Sequence, residues 1–219
     1  MKKHHEQSQK PIRKFVIEFI DPMTRSIAHE VTLETADIQG LCSIVDPETK
    51  ELHLASIYEL DPSDIEKIGT RFGLAFGRQQ SVARLRSWRA IDALPYKVHT
   101  NRELALMLSG KKPLAAFLEA YPSDPALELI PEAAFEPHTL AGSFVKREYI
   151  LSENDRQTRM VLYATPSEAW RIEAYILLKT TALKTGWSEG FEYLEGSLLG
   201  YEDWQNDIYI EKIFRGQKK

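Results

Sequence analysis

Cysteine is almost missing from this chain: Cys42 is the only one. That excludes an intrachain disulfide, a zinc site built on paired cysteines and a redox pair, and it suits a reducing compartment. Long apolar runs are missing too. The most apolar stretch, Ala164 to Leu183, carries Glu168, Arg171, Glu173 and Lys179, four charges that a bilayer core does not accept. The opening residues MKKHHEQSQK are polar and have no apolar segment behind them, unlike a secretory signal. A cytoplasmic protein without membrane association is the expectation.

Motifs that name a reaction are also absent. There is no G-x-S-x-G, no Walker loop and no G-x-G-x-x-G, so acyl transfer and nucleotide hydrolysis by the familiar routes have no support. The glycine pair Gly73 and Gly77 lacks the Lys-Ser/Thr that a phosphate loop needs, and it reads as a helix end. None of the six histidines (His4, His5, His29, His53, His99, His138) has the helical spacing of a metal site. Glu189, Glu192 and Glu195 recur every three residues, but without the histidine that carboxylate-bridged metals want. Cys42, within the apolar GLCSIV, reads as buried and inert. No catalytic residue, metal or cofactor is assigned, and a hydrolase with an unfamiliar site is the least supported reading.

The chain does have enough apolar material for a sizeable core, with 43% hydrophobic residues in 219. After a disordered tail over 1–12, the period-two runs KFVIEFI and IAHEVTL flank the turn DPMTR and read as a hairpin. A short helix over ETADIQGLCSIV, a strand at Glu51 to Leu60, and a helix capped by Asp61, opened by Pro62 and ended by Gly73 complete a β-β-α-β-α module over 13–75. Residues 76–112 read as a basic connecting segment, in which ARLRSWRAI can form a helix with Arg86 and Arg89 three apart. Beyond it, TNRE has capping-box spacing for a helix that Gly110 can stop, and PLAAFL looks like a strand. A weak helix over PEAAFEPHTLAG is expected to break near Pro137.

FVKREYIL and RMVLYAT around SENDRQT read as a second hairpin, with His29 and His53 placed in strands of the first module. TPSE then reads as a capping box opening a helix that runs to about Lys184, and two short helices follow, at 188–199 and 202–214. The class is therefore α+β, with a short antiparallel sheet and a C-terminal cluster of helices making up an α+β domain over 113–219.

Charge is unevenly placed. The chain has net charge -4, yet residues 78–112 hold eight Lys and Arg (Arg78, Arg84, Arg86, Arg89, Lys97, Arg102, Lys111, Lys112) against two acids. From Thr185 to Glu211 there are seven carboxylates and no Lys or Arg, together with Trp187, Phe191, Tyr193, Tyr201, Trp204 and Tyr209. Acids on a helical surface repel one another unless a cation faces them. The leading reading is a non-enzymatic binding protein whose acidic, aromatic C-terminal helices meet a basic protein partner through Trp187, Glu189, Glu192, Glu195, Tyr201, Asp203, Trp204 and Asp207. Immunity proteins and inhibitors of cationic toxins use the same physics. The alternative is nucleic-acid or phosphate binding through Arg84, Arg86, Trp88, Arg89, Lys97, His99 and Arg102, where cations alternate with rings. Docking of the basic segment on the chain's own acids is the bland third answer. Oligomeric state is not read from the sequence.

Overall fold

The structure is a computed structural model that describes residues 11–49, 51–53, 56–77, 82–123, 130–153 and 156–216. Most of the expected N-terminal tail, with His4 and His5, lies outside the described residues, as does Arg78. The chain divides into two compact units, Met1–Pro22 with Ile27–Arg89 and Met23–Ser26 with Ala90–Lys219. Among the described residues there are two antiparallel sheets and seven α-helices, with the helices gathered toward the C-terminus, so the class is α+β.

In the first unit, β1 (Arg13–Ile20) pairs along its length with β2 (Ile27–Thr35). The alternation puts Phe15, Ile17 and Phe19 on one face, where they meet Leu33, Leu41, Ile68 and Leu85 in the core. Helix α1 (Ile38–Val45) is capped by Asp37, whose carboxylate accepts from the Gly40 N–H and also holds Arg71 of α2 (Pro62–Phe72) at 2.6 Å. The cap at Asp61 and the stop at Gly73 fall where the sequence placed them, and Gly73 has φ 68°, a conformation that suits glycine.

Two expectations need correction. ARLRSWRAI is not a helix: Val82–Ser87 is strand β4, inserted between β1 and β3 (Ile57–Leu60) in the order β2-β1-β4-β3. Ala83, Leu85 and Ser87 alternate with Arg84 and Arg86, and that period of two governs once a strand on each side can take its hydrogen bonds. Strand β3 is also shorter than read, at Ile57–Leu60, so His53 precedes it and donates its backbone N–H to the Tyr58 hydroxyl. Residues 54 and 55 of that reading lie outside the described residues.

The second unit is built on a three-stranded sheet of order β5-β7-β6: β5 (Leu114–Tyr121), β6 (Val145–Glu153) and β7 (Arg156–Ala164). The central β7 is buried on both faces over Met160–Ala164. Val161 and Tyr163 face Phe135 of α4 (Glu132–Leu140) together with Leu104 and Met107 of α3 (Glu103–Leu108), while Met160, Leu162 and Ala164 face Ile172, Tyr175 and Ile176 of α5 (Trp170–Thr185). At the polar end of the sheet Arg159 is gripped by Glu119, Glu132 and Glu148 at 2.8, 2.7 and 3.0 Å.

Here too some caps differ from the reading. Arg102 is the N-cap of α3 and makes no side-chain cap bond, so TNRE is not a capping box. TPSE forms a single 3-10 turn before α5, because Glu168 binds Arg171 and does not reach back. Helix α4 continues through Pro137, which sits near its middle. The helix ends at Gly186 (φ 84°) and Gly200 (φ 88°) do separate α5, α6 (Glu189–Leu198) and α7 (Asp203–Tyr209), and the last is prolonged by a wider turn over Ile210–Phe214.

Candidate binding site

Helices α6 and α7 are set by local rules. Ser188 caps α6 by accepting from the Phe191 N–H, and the backbone N–H of Glu202 donates to the Gln205 side chain at the start of α7. The helices meet where α6 has no side chain: a Cβ on Gly196 would lie 2.0 Å from Asn206 Oδ1. Between them, α5, β5 and residues 91–100 lies a cavity of about 310 Å³. Its wall is part apolar, with Ile91, Val98, Leu118 and Leu199, and part polar, with Tyr96, Tyr175, Tyr201, Tyr209, Glu192, Glu195 and Asn206.

The carboxylates are held in place. Glu195 Oε1 accepts from the Tyr175 hydroxyl at 2.6 Å and lies 2.6 Å from Lys179 Nζ. The indole N–H of Trp187 donates to Glu192 at 2.5 Å, and the Lys179 ammonium sits 4.3 Å from the Trp187 ring. Burial, then the negative charge of Glu195, pushes the Tyr175 phenol well above its usual range. Burial followed by Glu192 and Glu195 raises Tyr209, and burial with Tyr209 pushes Tyr96 up to about 12. These tyrosines therefore keep their protons and stay neutral.

One end of the site rests on a packed polar cluster. His99 stacks on Tyr201, with ring centroids 3.9 Å apart, and its backbone N–H donates to the Tyr201 hydroxyl at 2.7 Å. Lys112 is 3% exposed; its amine lies 3.3 Å from His99 Nδ1 and donates to the Leu199 carbonyl at 3.3 Å. Burial pushes Lys112 down to about 8, against the pull of Glu103 and Glu195. Burial and the nearby Lys112 push His99 down to about 4, so the imidazole is neutral at pH 7 and can accept from the amine.

The structure brings several predicted partner residues together. Glu192, Glu195 and Tyr201 line the cavity, and Trp187 holds Glu192. Trp204, 44% exposed, packs edge-on against cavity-lining Tyr96 with centroids 5.4 Å apart and donates to Glu202 at 2.6 Å. Asp203 and Asp207 are exposed on α7. Glu189 stands apart, paired with Arg215 at 2.6 Å. The cations sought by this acidic stretch thus come in part from its own flanks, Lys179 before it and Arg215 after it.

The residues of the alternative reading are divided between the two units. In the first unit, Arg84 and Arg86 each donate to Glu18 at 2.6 Å, with Glu18 and Arg86 buried, and Lys14 lies 5.5 Å from the Trp88 ring. Arg89 closes that unit, whereas Lys97, His99 and Arg102 belong to the second. Sequence reasoning missed Tyr175, Lys179, Asn206 and Tyr209 as parts of the site. A polar-tipped tyrosine and a lysine four residues apart on α5, whose apolar residues go nearly all round, were the available signal.

Among the described residues no group of three or more His, Cys, Asp or Glu side chains is arranged to hold a metal ion, and no helix is long and apolar enough to cross a membrane. Compared with known proteins, the chain matches no family model, no curated protein and no solved structure.

Proposed function

We propose that the protein is a non-enzymatic, cytoplasmic binding protein that recognises a basic protein partner through α6 and α7, in the manner of an immunity protein or inhibitor. The observation that supports this reading is the cavity whose wall combines four tyrosines with Glu192 and Glu195. A lysine or arginine side chain entering it meets aromatic faces along its stem and carboxylates at its head. Around it Trp204 supplies an amphipathic anchor, and Asp203 and Asp207 supply the long-range attraction that speeds encounter.

The test is a titration of an arginine-rich peptide, followed by tryptophan fluorescence at low and physiological salt. Binding that weakens with salt, and weakens about tenfold or more in Asp203→Lys/Asp207→Lys and in Glu192→Gln, is the expected result. Equal affinity for all these proteins, or equal binding of a glutamate-rich peptide, overturns the reading. Salt-sensitive binding of single-stranded DNA that is lost on replacing Lys97 and Arg102 would put nucleic acid in the partner's place.

A further inference from the structure

Helix α6 has two faces. Glu192, Glu195 and Gly196, with the C-cap Leu199 just beyond, look into the cavity, while Phe191, Leu194 and Leu198 look the other way, into a groove of about 530 Å³ shared with α5. The groove is almost wholly apolar at its surface, and its side chains are conspicuously bare: Trp170 is 57% exposed, Leu177 66% and Leu194 52%. Trp170, Ala174, Leu177 and Thr181 follow the i, i+4, i+7, i+11 spacing that puts them in one stripe along α5. Arg171 fixes the floor, donating to the Ser197 and Leu198 carbonyls at 2.9 and 3.3 Å. Contiguous apolar side chains on a rigid helix pair mark an interface and not a solvated surface.

We propose that this groove is the contact between two copies of the chain, formed by antiparallel packing of α5 on its twin. Charge complementarity along α5 names the occupant. Glu173 and Lys184 are both exposed and lie eleven residues apart on the same flank of the apolar stripe, one in the first half of α5 and one in its last turn. A two-fold axis across the helix keeps that flank on the same side, so each Glu173 meets the Lys184 of the other copy, and the two Leu177 side chains come close to the axis. Helix α5 thus carries both halves of the ion pair, which a different partner would have to supply. Among the described residues of one copy, Glu173 has an exposed contact with Arg147 at 4.0 Å. The groove lies on the face of α6 opposite the cavity, so the dimer leaves the proposed partner site open.

Sedimentation velocity and light scattering over a wide concentration range test this. The full chain is expected to be a dimer, and Leu177→Arg and Leu194→Glu are expected to be folded monomers, since both side chains already face water. Glu173→Lys or Lys184→Glu alone should weaken the dimer about tenfold, and the two together should restore it. A wild-type monomer at every concentration overturns the proposal, as does a dimer indifferent to Leu177→Arg. A dimer that the double reversal fails to restore overturns the antiparallel arrangement.

Discussion

The His99 imidazole lies face to face with the Tyr201 phenol, planes 11° apart, while the Tyr201 hydroxyl accepts the backbone N–H of the same histidine. One tyrosine thus serves residues 91–100 in two ways, as a stacking surface and as a hydrogen-bond acceptor. Tyr201→Phe keeps the ring and removes only the acceptor, so it should cost about 1 kcal/mol of stability, whereas Tyr201→Ala should cost about 3–5 kcal/mol. Urea denaturation of the two variants separates the contributions: equal losses would refute the ring's share, and no loss in Tyr201→Phe would refute the hydrogen bond's.

Lys112 ties stability to alkaline pH. Its folded value is pushed down to about 8 from an ordinary 10.5, so between these limits the unfolded chain holds more protons and stability rises with pH, by at most about 1.4 kcal/mol per pH unit. Above pH 10 the tyrosines reverse the trend, because Tyr96, pushed up to about 12, keeps its proton in the folded state after the unfolded chain has lost it. Melts between pH 8 and 10 should show the rise in the wild type and not in Lys112→Met. A rise of the same slope in the variant would assign it elsewhere.

His99 acts on the acid side. With its folded value pushed down from 6.5 to about 4, the unfolded chain takes up the proton first, and stability falls as pH drops through that window. Glu103, raised chiefly by burial, works in the opposite sense over part of the range. Proton NMR of the His99 ring checks the primary claim: the imidazole should remain neutral until pH is near 4, and a midpoint near 6.5 would contradict its packing.

Glu18 is a buried carboxylate shared by Arg84 and Arg86. Glu18→Gln takes the shared carboxylate charge from two guanidinium groups, one of them buried, and should destabilise by about 3–5 kcal/mol. The combination Glu18→Leu with Arg84→Leu and Arg86→Met should recover most of that loss, as measured by chemical denaturation. Recovery is the discriminating result, since it separates a stranded charge from lost packing.

Gly196 and Gly190 lie on the same helix and should respond oppositely to alanine. At Gly196 the new methyl would fall 2.0 Å from Asn206 Oδ1, forcing α6 and α7 apart at a cost of about 1–3 kcal/mol. At Gly190 the nearest heavy atom is Ser188 Oγ at 3.8 Å, so alanine should add up to about 1 kcal/mol of helix stability. Thermal melts of the two variants decide the matter.

Local chemistry made much of this protein legible in its sequence. Asp61 with Pro62, the glycines at 73, 186 and 200, and the alternating runs of both hairpins act within a few residues, so their structural meaning does not depend on distant partners. The gathering of acids and aromatics at 185–211 was equally visible. Tertiary structure decided what each of these charges faces. Arg84 and Arg86 look like an outward basic patch until β4 lies beside β1 and brings them to Glu18, 66 and 68 residues away. Helix α5 is apolar nearly all round, so its periodicity cannot say which side turns Tyr175 and Lys179 toward Glu195 and which leaves Trp170 and Leu177 bare. Pattern specifies conformation through neighbours along the chain, but a charge or an apolar face acquires its role only from what folding packs against it.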